Sequence, residues 1–132
     1  MISIEREDVD NVTILVLSGE LDFENTVWLR GKLHGLLKEN RIRIILDMSG
    51  VDLISSCTVG VFVAFARDLR EKDGDLKFLN LQRRVQDTFE ATRIKNILDV
   101  FYDDKIKKGV TEGKLKDKAK EVAIAAFEIR KE

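Results

Sequence analysis

The sequence predicts a single α/β domain, a mixed β-sheet with helices packed on it, and two adjacent patterns carry that prediction. Residues 42–48 form a nearly continuous apolar run of strand length, which is typical of a strand buried on both faces. Beyond this run, apolar residues recur at helical spacing, at Val59, Phe62, Val63, Ala66 and Leu69. These residues share one face of a helix, which would pack on the strand. Strand and helix patterns alternate along the rest of the chain, which supports the same architecture.

Length and composition limit the kinds of protein that this chain can be. Its 132 residues, 44% of them hydrophobic, suit one compact domain with its own core. The 23 Lys+Arg and 24 Asp+Glu residues give a formal net charge of −1, so no overall attraction to nucleic acid or to a membrane is expected. The sequence contains no signal segment, no bilayer-spanning apolar run and only one cysteine, which predicts a cytoplasmic protein.

The first part of the chain predicts two strands and a helix. Ile2–Glu7 alternates apolar and polar residues, and Val12–Leu17 follows a turn-like segment as a second apolar strand, so we expect a hairpin. A helix is expected from about Glu24 to Glu39, with Asn40 as a stop. Its buried stripe would consist of Leu29, Leu33, Leu36 and Leu37.

The part of the chain after the central helix predicts two more strands and a third helix. Asp73 and Gly74 are expected to end the central helix, and Asp75–Leu81 predicts a strand. The third helix would run from Gln82 to about Ile94, and Val100–Tyr102 predicts a short last strand. The buried face of the third helix would consist of Val85, Phe89 and Thr92.

The C-terminal region is predicted to be a loop followed by a helix. Residues 103–114 are polar, contain two glycines and lack sustained periodicity, which predicts an exposed loop. Apolar residues return at helical spacing across residues 115–131 and predict a C-terminal helix. Lysines are frequent in residues 105–120, but acidic residues separate them, so a solvated surface is favoured over an anion-binding patch. We therefore interpret residues 1–132 as one domain.

Four small residues occupy the junction between the central strand and the central helix. They are Ser55, Ser56, Cys57 and Thr58. Ser and Thr hydroxyls accept hydrogen bonds from the first backbone N–H groups of a helix, so a structural cap is the simplest interpretation of Ser56. A helix N-terminus also favours negative charge, which makes an anionic modification at this place a second interpretation.

The junction and three other segments resemble the STAS domain of bacterial anti-sigma-factor antagonists. Val59-Gly60-Val61 resembles the family's Leu-Gly-Val, and Gly19-Glu20-Leu21-Asp22 resembles its Gly-Glu-Leu/Ile-Asp turn. Leu76–Leu81 and the apolar positions from Val85 to Leu98 resemble the strand and helix that follow. The resemblance covers residues 1–102. Within the motif, Ser55 and Thr58 replace the family's usual Asp and Gly.

The resemblance implies a regulatory binding protein with no catalysis and no cofactor of its own. Ser56 would be the phosphorylation site. The unphosphorylated chain would bind an anti-sigma factor that is also a serine kinase, phosphorylation would release it, and a serine phosphatase would reset it. Asp22 would either add negative charge beside Ser56 or cap the helix that starts near Glu24.

A row of apolar residues beside the buried stripe of the central helix predicts a partner contact. Val61 and Phe65 are four residues apart, with Thr58 about one turn before them. Exposed aromatic surface is typical of a binding site, although a wider core would explain the same pattern. The predicted partner-binding residues are therefore Asp22, Ser55, Ser56, Thr58, Val61 and Phe65.

Other functions are less favoured by the sequence. Cys57 lies near a helix start, where a thiol pKa can fall, which makes it a formal candidate for a nucleophile. The only histidine, His34, is in the first helix, so a catalytic Cys/His pair is not indicated. The sequence contains no P-loop or dinucleotide-binding motif. We therefore expect no catalytic residues and no metal site. A STAS module of another signalling or transport assembly, without control by phosphorylation, is the alternative that Ser55 and Thr58 favour. A small enzyme or nucleotide-binding domain is the least favoured alternative.

Overall fold

The computed structural model describes residues 2–94, 96–102 and 127. Strands and helices alternate along these residues in the predicted order. The strands are β1 (Ser3–Val9), β2 (Val12–Leu21), β3 (Arg43–Ile54), β4 (Asp75–Leu79) and β5 (Asp99–Phe101). The helices are α1 (Phe23–Lys38), α2 (Ser56–Glu71) and α3 (Arg83–Ala91).

The strands form one mixed sheet in the order β1-β2-β3-β4-β5. β1 and β2 form the predicted antiparallel hairpin, and β2, β3, β4 and β5 run parallel to one another. Helical crossovers join the parallel strands, as such connections require. The predicted α/β class, with helices packed on a mixed sheet, is confirmed.

The helices pack on one face of this sheet around a core of aliphatic and aromatic side chains. Leu17, Leu29 and Leu46 are completely buried there. The Phe62 and Phe78 ring centroids are 4.9 Å apart, and Phe78 and Phe89 are 5.3 Å apart in an edge-to-face arrangement. This aromatic cluster joins α2, β4 and α3 into a single core.

The opposite face of the sheet carries a second apolar cluster, formed by Val12, Ile14, Ile45, Leu79 and Phe127. Lys77 is also buried there. Its Nζ lies 2.8 Å from an Asp99 carboxylate oxygen and 5.2 Å from the Phe127 ring centroid. Both faces of the central strands are therefore covered, which explains the nearly continuous apolar run in the β3 sequence.

Strand β3 extends six residues beyond the predicted end at Met48, through Ile54. Its second half pairs with the second half of β2, where the register shifts mark bulges. A Cβ at Gly50 would lie 2.9 Å from the Leu17 carbonyl oxygen, and Gly19 has a φ of 118°. Both glycines therefore let the bulged strands continue where the sequence suggested a loop.

The helix boundaries are close to the predictions, with local differences. α1 begins at Phe23 rather than Glu24, and Leu37 in its predicted stripe is only partly buried. α3 ends at Ala91, so Thr92 is exposed beyond it rather than on its buried face. The predicted loop 103–114 lies outside the described residues, as does the predicted helix 115–131 apart from Phe127. Among the described residues, no helix is long and apolar enough to cross a membrane.

Candidate functional site

The starts of α1 and α2 lie side by side at one edge of the sheet. β2 and β3 are adjacent parallel strands, and each leads directly into a helix. Asp22 caps α1 and Ser55 caps α2. Because the carboxyl ends of parallel strands share one sheet edge, the Asp22 and Ser55 segments form a common surface.

Ser55 supplies the cap of α2, so the cap interpretation of Ser56 is wrong. The Ser55 Oγ accepts a hydrogen bond from the Thr58 backbone N–H at 3.4 Å, and the Thr58 Oγ1 accepts one from the Ser55 backbone N–H at 3.2 Å. This reciprocal pair is a capping box. Ser56 is the first residue of the helix, its side chain is exposed, and its hydroxyl has no hydrogen-bond partner among the described residues.

Asp22 performs the same capping function for α1. Its Oδ1 accepts a hydrogen bond from the Asn25 backbone N–H at 2.8 Å. Of the two roles that the sequence suggested for Asp22, the role as a cap of α1 is therefore confirmed. The Asp22 side chain is also exposed, so it adds a negative charge to the sheet edge at which α2 begins.

Two buried threonines connect the helix starts beneath this surface. The Thr26 and Thr58 hydroxyl oxygens are 2.8 Å apart, and Thr58 donates to the Leu21 carbonyl oxygen at 3.1 Å. The sequence predicted Thr58 as a partner-binding residue, but its side chain is completely buried. Direct contact between Thr58 and a partner is therefore not available in this conformation.

The residues around the two helix starts are acidic. Segments 18–27 and 49–60 contain four acidic residues and no Lys or Arg. The acidic residues are Glu20, Asp22, Asp52 and Glu24, and all are exposed. A phosphate on Ser56 would therefore meet backbone N–H groups of the helix start but no basic side chain from these segments.

Comparison with known proteins identifies the family. The STAS domain model matches residues 3–110. The chain belongs to the STAS domain family. The domain is 32% identical over 101 residues to the anti-sigma-B factor antagonist of Bacillus subtilis, a match that covers 75% of this chain and 90% of that relative. It is 27% identical over 99 residues to the anti-sigma-B factor antagonist of Listeria monocytogenes, covering 75% and 86% of the two chains.

Solved structures share the fold of this STAS domain. An anti-sigma factor antagonist from Mycobacterium paratuberculosis aligns with a TM-score of 0.69 and 18% identity, covering 76% of this chain and 86% of the other. The unphosphorylated form of the antagonist SpoIIAA aligns with a TM-score of 0.62 and 19% identity, covering 89% and 98%. The family resemblance and the fold predicted from the sequence are both confirmed.

The STAS domain does not expose Phe65, which the sequence suggested as a surface aromatic residue. Phe65 is 3% exposed, because α1 lies beside α2 and His34 packs against its ring with centroids 6.3 Å apart. Val61 is half-buried and lines an open groove of about 350 Å³ between the two helices. Phe65 therefore belongs to the hydrophobic core, which was the alternative interpretation of the sequence. Val61 remains accessible to a partner.

Three exposed apolar residues near Ser56 were missed from the sequence. Phe23 and Val27 in α1 are 68% and 55% exposed, and Leu53 at the end of β3 is 37% exposed. Phe23 and Val27 are four residues apart and fall outside the stripe that contains Leu29 and Leu33, which is the signal that would have found them. Together with Asp22, Ser55 and Ser56, they form what we call the helix-start surface.

Proposed function

We propose that this STAS domain is an anti-sigma factor antagonist that binds an anti-sigma factor with serine kinase activity and is released by phosphorylation of Ser56. The observation that carries the proposal is the position of Ser56, which is exposed in the first turn of α2. Ser55 and Thr58 already satisfy the start of the helix. The Ser56 hydroxyl is therefore accessible to a kinase without any loss of helix capping.

A phosphate on Ser56 is compatible with the fold. The backbone N–H groups and the dipole of a helix start favour negative charge, so the phosphate oxygens would find donors without rearrangement of α2. The modification adds about −1.5 to −2 charges to a surface that is already acidic. The charge would meet a contact that fits a neutral hydroxyl, so loss of hydrogen bonding and local charge repulsion would then release the partner. A serine phosphatase acting on the phosphorylated form would restore binding.

The helix-start surface supplies the contacts for the partner. Phe23 and Val27 offer exposed apolar area of the kind that protein interfaces bury. Val61 extends this area along the groove between α1 and α2. Thr58 and Phe65 support the surface from within the core, so their contribution to binding is indirect. The domain acts by binding, and the proposal requires no catalytic residue, metal or cofactor in the chain.

The relatives support this proposal. The Bacillus subtilis and Listeria monocytogenes relatives are anti-sigma-B factor antagonists. SpoIIAA, which shares the fold, has been solved in an unphosphorylated and in a phosphorylated form. A change of phosphorylation state is therefore compatible with this architecture.

The test uses the full chain and a serine-kinase anti-sigma factor from the same genome. With ATP, the parent chain should gain one phosphate, and mass spectrometry should place it on Ser56. Ser56→Ala should abolish the modification. Ser49→Ala is the matched control, because it removes an exposed serine hydroxyl that belongs to neither the cap nor the threonine network and leaves the acceptor. Phosphate mapped to Ser55 in the parent chain would contradict the assignment.

The alternative is a STAS module that serves another assembly without phosphorylation. Ser55 and Thr58, which replace the family's usual Asp and Gly, favour it, because Thr58 places a buried side chain in the first turn of α2 where a glycine would have none. Binding of the parent and of Ser56→Asp to the same partner with equal affinity would support this alternative. It would also contradict release by phosphorylation.

A further inference from the structure

A buried hydrogen-bond network joins the first turn of α1 to the first turn of α2. Thr26 is 1% exposed and Thr58 is completely buried, and their hydroxyl oxygens are 2.8 Å apart although the residues are 32 positions apart in the chain. The Thr26 Oγ1 lies 2.5 Å from the Asp22 carbonyl oxygen, and the Thr58 Oγ1 lies 3.1 Å from the Leu21 carbonyl oxygen. Each threonine hydroxyl has one proton, so these three contacts share two protons, and together they hold both helix starts at the end of β2.

The same network includes the cap of α2. The Leu21 carbonyl also accepts a hydrogen bond from the Ser55 backbone N–H at 3.0 Å. The Ser55 and Thr58 hydroxyl oxygens are 2.9 Å apart. Since a buried hydroxyl or carbonyl without a partner is unfavourable, each group in the network restricts the positions of the others. The position of Ser56, between Ser55 and Thr58 in sequence, is restricted with them.

We propose that Thr26 and Thr58 form a hydroxyl clamp that positions Ser56 relative to Asp22 and Phe23, so that a kinase partner meets both helix starts as one rigid surface. Neither threonine reaches the partner, because both are buried. Both act through the residues that they hold, which makes them positioning residues rather than contact residues. The effect on phosphorylation rests on the proposed function, whereas the clamp itself is a property of the isolated domain.

The expected consequence for phosphoryl transfer follows from geometry. The transferred group and the acceptor hydroxyl must be aligned in the bound complex, and a displacement of about 1 Å can reduce the rate by up to about 100-fold. A clamp on the first turn of α2 limits such displacement. Loss of the clamp should therefore slow transfer to Ser56 even when the domain is folded and the kinase is saturating.

The first measurement is amide hydrogen exchange of the full chain by NMR. Thr26→Val replaces the hydroxyl with a methyl group of similar size, on a helix distant in sequence from Ser55. We expect the Ser55 and Thr58 amides to exchange at least ~10-fold faster than in the parent chain, and Thr26→Ser to restore slow exchange. Unchanged protection of both amides in Thr26→Val would overturn the clamp.

The second measurement is the rate of Ser56 phosphorylation at saturating concentration of the kinase that modifies the parent chain. We expect a loss of ~10-fold in Thr26→Val and recovery to within about 2-fold in Thr26→Ser. Leu98→Ala is the control for lowered stability, because Leu98 is buried in the core outside the clamp, and it should keep the parental rate. A parental rate in folded Thr26→Val would show that the clamp does not position Ser56.

Two further outcomes keep the clamp and the proposed function separate. Thr26→Ala removes the same hydroxyl without adding a second methyl group and must reproduce both effects, which decides the question if Thr26→Val does not fold. Thr58 is left unchanged because its Oγ1 is also part of the capping box. If no kinase phosphorylates the parent chain, the proposed function fails. The exchange measurement then still decides whether the clamp exists.

Discussion

At the scale of single residues, Ser56 differs from Ser55 and Thr58 because its hydroxyl forms no hydrogen bond within the described part of the chain. Ser55 caps α2, and Thr58 bonds the end of β2 and Thr26. Each of these hydroxyls has a structural role that a modification would disturb. A charge added to Ser56 can therefore change the charge of the helix-start surface while the hydrogen bonds of the domain remain intact.

This difference predicts that a charge at Ser56 weakens binding and leaves stability nearly unchanged. Ser56→Asp should bind the anti-sigma factor much more weakly than Ser56→Ala, because it places a charge where the bound partner would contact a neutral hydroxyl. Both variants should be as stable as the parent to within about 1 kcal/mol, since the Ser56 side chain is exposed and its hydroxyl bonds no described residue. Calorimetric titration would measure the affinities, and urea unfolding would measure the stabilities.

Salt dependence separates repulsion from a change of shape. Charge repulsion between exposed groups is screened over about 10 Å at moderate ionic strength, so added salt should partly restore binding by Ser56→Asp. Ser56→Ala is the control and should show no such recovery. Tight binding by Ser56→Asp at low salt would rule out the charge mechanism.

At the scale of secondary-structure elements, the contact between α1 and α2 decides the role of Phe65. α1 covers α2, and His34 packs edge-on against the Phe65 ring. Phe65 is therefore part of the packing between two helices that also share the threonine network. A substitution of Phe65 should therefore lower the stability of the domain more than its affinity for a partner.

Phe65→Ala should lower the free energy of unfolding by about 3–5 kcal/mol, because it removes a buried aromatic side chain and leaves a cavity. Binding by the fraction that stays folded should be nearly unchanged. Val61→Ala is the matched comparison, since Val61 is half-buried in the groove and should cost only about 1 kcal/mol of stability. Urea unfolding and binding assays on both variants would show the contrast. A stable Phe65→Ala domain with a large binding defect would mean that Phe65 is a partner contact.

The order of elements was predictable from the sequence because hydrophobic periodicity reports which face of each element is buried. The length of β3 was not, because Gly50 indicates a break unless the bulged pairing with β2 is known. The burial of Phe65 depends on α1 lying across α2, which is a long-range contact that local spacing does not encode. The sequence located the site at the junction but assigned the cap to Ser56 instead of Ser55, because four consecutive small residues, all but one of them Ser or Thr, do not show at which one the helix begins.

At the scale of the whole molecule, the helix-start surface and a surface ion-pair network lie at opposite ends of α1. Arg6 in β1 donates to both Glu39 carboxylate oxygens, at 2.9 and 2.8 Å, and also to Asp8. Glu39 follows the C-terminal end of α1, so this network ties the hairpin to the end of that helix. Changes in this network should therefore affect stability without affecting contacts at the helix starts.

The network predicts part of the acid sensitivity of the domain. Hydrogen bonds from Arg6 hold the pKa values of Asp8 and Glu39 below their ordinary values. Since both values are lowered in the folded state, the stabilisation is fully present above the ordinary carboxylate pKa of about 4 and is lost as the pH falls further.

Arg6→Ala should therefore be less stable than the parent at neutral pH, and the difference should shrink towards about pH 3. Because these side chains are largely exposed, we expect a small effect that high salt reduces. Urea unfolding across this pH range would measure it. Ser56→Ala should follow the parental pH dependence, and a constant difference between Arg6→Ala and the parent would contradict the assignment to these carboxylates.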